Sequence, residues 1–146
     1  MNKFTRNERR NNMDGKIQIR VRYNETDSMR YLYHGNYASY YHASRTELLR
    51  SVGLSDIEFE RQGVILPVID LQSKYLKPAF YDDELIIKTD LLKISVCKLQ
   101  FSHKVYNNKN EIINKGCSTV AYVDNLSRKP LRIPPMIMES LKCLIK

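Results

Sequence analysis

From Gly63 to Asp124 the chain reads as one strand after another, and this run limits the possible folds more than any other feature. Apolar and polar residues alternate through Val64–Lys74, Glu84–Ile94, Val96–Asn107 and Glu111–Asp124. The breaks are Lys77-Pro78, Tyr81-Asp82-Asp83 and Asn107-Asn108-Lys109-Asn110, all good turn material. Connections this short join antiparallel neighbours, because parallel strands need a long crossover. Upstream, Ile17, Ile19, Val21 and Tyr23 alternate with Gln18, Arg20 and Arg22, which predicts a fifth strand. Between these regions lies one long helical segment, Tyr37 to Val52, free of glycine and proline until Gly53. Asn36 is its expected N-cap. A helix of that length spans about 24 Å and could cross a whole sheet. The expected class is therefore α+β: an antiparallel sheet of about five strands around one long central helix. One helix covers one face and leaves the sheet edges open, so dimerisation is expected.

The 146 residues suit a single domain. Residues 1–15 lack periodicity and predict a flexible basic lead-in, leaving 16–146 as the folded unit. Ser55–Gln62 and the tail from Pro134-Pro135 predict short helices. No apolar run is long enough to cross a bilayer, and no apolar h-region marks a secretory signal. Cys97, Cys117 and Cys143 are odd in number and widely spaced, which argues against a disulfide framework or structural metal. A reducing cytoplasm is the expected compartment, with Cys97 and Cys117 as small core residues. The formal charge of +8 raises nucleic acid as a partner. Residues 1–22 hold seven Lys/Arg and two acids, and residues 128–146 hold five and one. The stretch 23–127 holds twelve bases and thirteen acids, so the basicity sits at the ends and nucleic acid is not expected.

Chemistry concentrates in Tyr23-Asn24-Glu25-Thr26-Asp27-Ser28-Met29-Arg30-Tyr31-Leu32-Tyr33-His34-Gly35-Asn36-Tyr37. Asp27 falls in a loop before the long helix, seven residues ahead of His34. A carboxylate aimed at a helix amino end suits acyl transfer. It can attack or deprotonate, and free backbone N–H groups can hold a developing oxyanion. The competing reading is an acidic turn beside a helix cap. His42 and His103 read as core or surface histidines, and Arg45-Thr46-Glu47 and Arg50 as solvated or interfacial.

Taken together, Arg22–Asp27, Tyr33–Tyr37, Arg45–Arg50, Leu66–Asp70, Tyr75–Ala79, Tyr81–Leu85, Val123-Asp124 and Pro130–Pro134 resemble the hotdog-fold thioesterases. Within them the match is to the 4-hydroxybenzoyl-CoA thioesterase/acyl-CoA thioester hydrolase branch, collinear over about residues 16–135. The resemblance implies a hotdog fold with active sites at a dimer interface, as a homodimer or homotetramer, and hydrolysis of an acyl-CoA substrate. It implies Asp27 and His34 as catalytic residues, the backbone N–H groups of His34 and Gly35 as the oxyanion hole, and Tyr23, Asn36 and Tyr37 in the substrate pocket. No metal, organic cofactor or membrane insertion is implied. Lys93, Arg128, Lys129 and Arg132 are candidates for the CoA phosphates by charge and position. The alternatives are an acyl-thioester hydratase or dehydratase on the same fold, and a non-catalytic acyl-CoA-binding protein. One position departs from the pattern: Arg30 stands where the family usually places glycine.

Overall fold

The computed structural model describes residues 15–145. The elements in order are β1 (Lys16–Arg20), a 3-10 turn (Tyr23–Glu25), α1 (Asn36–Arg50), α2 (Asp56–Arg61), β2 (Val64–Ile65), β3 (Val68–Tyr75), β4 (Glu84–Ile94), β5 (Lys98–Tyr106), β6 (Ile112–Ala121), β7 (Val123–Asp124) and α3 (Pro135–Lys142). Five strands form one antiparallel sheet in the order β1-β4-β5-β6-β3, and β2 pairs with β7. The α+β class and its five-stranded sheet match the sequence expectation.

Two expected strands are divided. Pro67 has no N–H to give a ladder, and at Leu66-Pro67 the chain passes from β2 to β3. The Pro67 carbonyl still accepts from Ala121 N–H at 3.0 Å. Tyr122 makes the matching break between β6 and β7. Of the expected lead-in, residues 1–14 lie outside the described residues, whereas Gly15 is buried and belongs to the fold. Gly15 takes φ +60, and a Cβ there would stand 2.2 Å from the Thr89 carbonyl oxygen. Cys97 and Cys117 are half-buried rather than core residues.

Helix α1 buries Tyr37, Tyr40, Tyr41, Ser44, Arg45, Leu48 and Leu49, the 3-4 spacing of a single face. Its two ends enter different apolar clusters. Leu48 and Leu49 join Phe59, Leu91, Leu99, Phe101, Val120 and Leu141. Tyr37, Tyr40 and Tyr41 join Val21, Leu32, Ala79, Leu85, Ile87 and Val105. At mid-helix the Tyr41 ring lies against Gly116 and stacks on His103, with centroids 4.3 Å apart and planes 5° apart. A Cβ at position 116 would come within 2.5 Å of the Tyr41 ring.

Between the two clusters runs a buried polar chain. Arg45 Nη1 donates to Ser118 Oγ at 3.0 Å, and Ser118 Oγ lies 2.7 Å from His103 Nε2. His103 Nδ1 lies 2.8 Å from Thr89 Oγ1, which donates to Ser44 Oγ at 2.7 Å; Ser44 donates in turn to the Gly15 carbonyl. The hydroxyl protons decide the imidazole tautomer. Thr89 and Ser44 have spent theirs, so His103 Nδ1 is the donor to Thr89. Nε2 then accepts from Ser118. Burial, with the Arg45 charge behind it, lowers the His103 pKa to about 3, so the ring is neutral. Arg45, expected to be solvated or interfacial, is instead buried inside the chain, and its Nη2 lies 3.1 Å from Nδ1 of the exposed His42.

Candidate active site

The loop carrying Asp27 is held by its own backbone. Asp27 N–H donates to the Tyr31 carbonyl and Arg30 N–H to the Asp27 carbonyl, each at 2.9 Å. Inside the turn, Asp27 Oδ1 accepts from Met29 N–H at 2.9 Å and Tyr31 N–H at 3.2 Å. One carboxylate oxygen is thus fixed by the loop, and Oδ2 takes no part in these two bonds. Arg30 closes the turn at φ 63, the left-handed conformation that glycine adopts at little cost. The loop therefore keeps the path glycine would allow, and Arg30 bears the backbone strain.

Two anchors fix this loop against the fold. Buried Leu32 donates its N–H to the Ala79 carbonyl at 2.7 Å, and the Tyr31 ring meets Phe80 edge-on. On the other side the Glu25 carbonyl accepts from Tyr33 N–H and from Asn36 Nδ2, both at 2.8 Å. Glu25 Oε1 accepts from Arg22 N–H at 2.8 Å and Tyr40 Oη at 3.1 Å. Glu25 thus ties the loop to α1. Burial and that carboxylate push the Tyr40 phenol well above its usual range, so it stays protonated and donating. Tyr37, buried and close to Tyr41 and Tyr75, is pushed up to about 12.

At the amino end of α1 the N-cap is Gly35, not Asn36; Asn36 is the first helical residue and spends its amide on Glu25. Gly35 has an ordinary φ of −68, but a Cβ there would stand 2.6 Å from the Tyr33 ring. Among the described residues no backbone carbonyl accepts from the N–H of His34 or Gly35. The His34 carbonyl accepts from Tyr75 Oη at 3.1 Å.

Asp27, His34 and Tyr37 line one cleft of about 250 Å³, together with Met29, Tyr31, Tyr75 and Leu76. Asp27 is half-buried, His34 is exposed and Tyr37 is buried at the cleft floor. Tyr23 and Asn36 do not line it. Tyr23 stands edge-on to Tyr81 and borders a larger groove of about 720 Å³ with Arg20, Arg22, Glu25 and Tyr40. That groove contains neither Asp27 nor His34, so the larger opening and the cleft of these two candidate residues are separate. Lys93, Arg128, Lys129 and Arg132 are all exposed, and Ile133 N–H bonds to the Val96 carbonyl, bringing Arg132 alongside the turn after Lys93. Sequence reasoning missed Tyr75 and Leu76, which reach the cleft from β3 and the residue after it. Alternation gave the face of β3 but not its distance from the Asp27 loop. Among the described residues no cluster of three or more His, Cys, Asp or Glu side chains could hold a metal ion.

Against known proteins, residues 21–141 match the family model of the thioesterase-like superfamily. The chain belongs to the thioesterase-like superfamily. It is 33% identical over 117 residues to the putative acyl-CoA thioesterase YneP of Bacillus subtilis, covering 80% of this chain and 85% of that protein. It is 32% identical over 124 residues to the acyl-CoA thioester hydrolase YbgC of Escherichia coli O6:H1, covering 85% and 92%. Among solved structures, the DHNA-CoA thioesterase of Staphylococcus aureus superposes with a TM-score of 0.84 at 31% identity, covering 88% of each chain. Hotdog architecture in this superfamily member follows from these matches and from the antiparallel sheet already described.

Proposed function

We propose that this protein hydrolyses acyl-CoA thioesters, releasing CoA and a free carboxylic acid. The observation that carries this is the shared cleft, with Asp27 and His34 facing one small cavity at the amino end of α1. Asp27 acts as nucleophile or general base. In the base route it takes a proton from water as the oxygen attacks the carbonyl carbon. In the nucleophilic route Oδ2 attacks first, and water then opens the mixed anhydride. In both, the C–S bond breaks and CoA leaves as a thiolate; an alkyl thiol such as that of cysteine has a pKa of about 8.5, so departure needs little general-acid help. The His34 and Gly35 N–H groups, at the positive end of the helix, receive the oxyanion. The four exposed cations Lys93, Arg128, Lys129 and Arg132 are assigned to the CoA phosphates.

The working form is a homodimer. β3 is an edge strand of the sheet and exposes Val68, Ile69, Leu71 and Tyr75, with Leu76 beyond them, at 44–51%. An edge this apolar calls for a covering partner. Tyr75 and Leu76 also border the Asp27 cleft, so a second copy on β3 would wall the site. A reducing cytoplasm accords with the three free thiols. No helix of the described residues is long and apolar enough to cross a membrane.

The test is thiol release from a panel of acyl-CoAs. Asp27→Asn, which keeps the acceptor oxygen for the turn, should lower kcat by about 10²-fold or more. Full kcat in that variant would remove Asp27 from the chemistry. A single turnover in ¹⁸O-water tests the nucleophilic route: label entering the Asp27 carboxylate requires an anhydride opened at the aspartyl carbonyl, whereas label in the product alone is common to the base route and to opening at the acyl carbonyl.

A further inference from the structure

Strand pairing places five lysines in one line across the outer face of the sheet. The register sets Lys16 opposite Lys88, Lys88 opposite Lys104, Lys104 opposite Lys115, and Lys115 opposite Lys74. Every strand of the order β1-β4-β5-β6-β3 contributes one, and at about 4.8 Å per strand the row runs about 19 Å. Lys16, Lys74, Lys104 and Lys115 are exposed and Lys88 is half-buried. None of the five takes part in the ion pairs of Arg20, Arg50, Arg61, Lys77 and Lys142. The remaining charges on this face are Lys93, Lys98 and Arg20, with Asp70, Asp90 and Glu84 as its acids.

Protection of sheet edges does not account for the row. Lysine on an edge strand blocks unwanted pairing, which covers Lys16 on β1, whereas Lys74 stands on β3, the edge assigned to the second copy. Lys88, Lys104 and Lys115 sit on the three interior strands. There, like charges directly opposite each other oppose sheet formation. A partner that brings negative charge would reverse that effect.

We propose that this face docks on an anionic lipid bilayer. Mobile headgroups can collect under a fixed line of lysines without matching its spacing, and each lysine near such a surface strengthens binding by about fivefold. Long lysine stems reach the headgroups. Ile86 and Leu92, 41% and 50% exposed on β4, add apolar side chains for the headgroup boundary. Other polyanions fit less well. Protein interfaces are depleted in lysine at their cores. A duplex major groove, about 12 Å wide, is narrower than the row. Single-stranded nucleic acid needs aromatic platforms, and Tyr106, the tyrosine nearest the row on this face, is half-buried.

The experiment is co-sedimentation of the full chain with vesicles of phosphatidylcholine alone, or with about one third phosphatidylglycerol, at low and high salt. Binding to the anionic vesicles alone, released by salt, is expected. Lys104→Gln with Lys115→Gln should lower the partition constant about 30-fold, and Lys74→Gln alone about fivefold. Lys109→Gln, in the β5–β6 turn, should change it by less than about twofold. These changes remove like-charge contacts, so thermal melting should show folded variants. Three results would overturn the proposal: no binding to anionic vesicles; binding unchanged in the double variant, which puts the attraction on the basic chain ends; or lysine-dependent binding to a single-stranded oligonucleotide with none to vesicles.

Discussion

Acidifying this protein should weaken it well before its carboxylates protonate, because His103 is folded into a site that rejects a proton. In the unfolded chain its imidazole titrates near 6.5, and in the fold it is lowered to about 3, by burial first and by Arg45 second. Below pH 6.5 the unfolded state therefore binds a proton that the native state refuses. The stabilising effect is fully present above that pH and is lost as pH falls toward 3, at up to 1.36 kcal/mol per pH unit. Between pH 7.5 and 4.5 the loss is about 2.7 kcal/mol. Down to about pH 5.5 that window lies above ordinary carboxylate titration, and there this histidine is the principal buried group that changes state, at a loss of about 1.4 kcal/mol. The groups around the ring make protonation costly: Arg45 acts through Ser118, Tyr41 covers the ring face, and Thr89 already accepts from Nδ1. Urea titrations followed by circular dichroism, at one protein concentration and four pH values, read the effect. His103→Gln keeps a donor and an acceptor but cannot titrate, so its stability should be nearly flat between pH 7.5 and about 5.5. A wild-type curve as flat as that, or the same slope in the variant, would refute the neutral buried imidazole.

Other outcomes follow from single positions. Arg30→Gly relieves a φ of 63 and should raise stability by about 0.5–1 kcal/mol, or about 1–4 °C in Tm, with kcat for thioester hydrolysis within about twofold. Gly35→Ala places a methyl where the Tyr33 ring lies, so thermal denaturation should show a loss of about 1–3 kcal/mol, with a fall in kcat as the proposed donors shift. Tyr40→Phe removes the hydroxyl that donates to Glu25 and should cost about 1 kcal/mol by urea titration.

The sheet and the main helix were legible in the sequence because their periods are local. Alternation through Leu99, Phe101, His103 and Val105 already points His103 inward, and the 3-4 spacing of α1 does the same for Arg45. Both polar residues were read by type rather than by period, and that is where the reading of Arg45 failed. The path of the Asp27 loop was not legible. It depends on Leu32 reaching Ala79 and on Asn36 reaching Glu25, pairings between segments that no local pattern encodes. The lysine row was hidden for the same reason. Counted along the chain, residues 23–127 look neutral, yet strand register gathers five positive charges into one line.

Gly116 acts as a spacer whose useful property is its thinness. Tyr41 rests on it, and five residues earlier the same helix begins at Asn36. The helix is a stiff rod, so the height at which that ring seats on the sheet also sets the elevation of the rod's amino end over the Asp27 loop. A methyl at position 116 would be felt as a tilt at the Asn36 end of the helix, five residues away along the rod. Positions 41 and 116 are therefore expected to vary as a pair, a thicker spacer tolerated only under a slimmer ring.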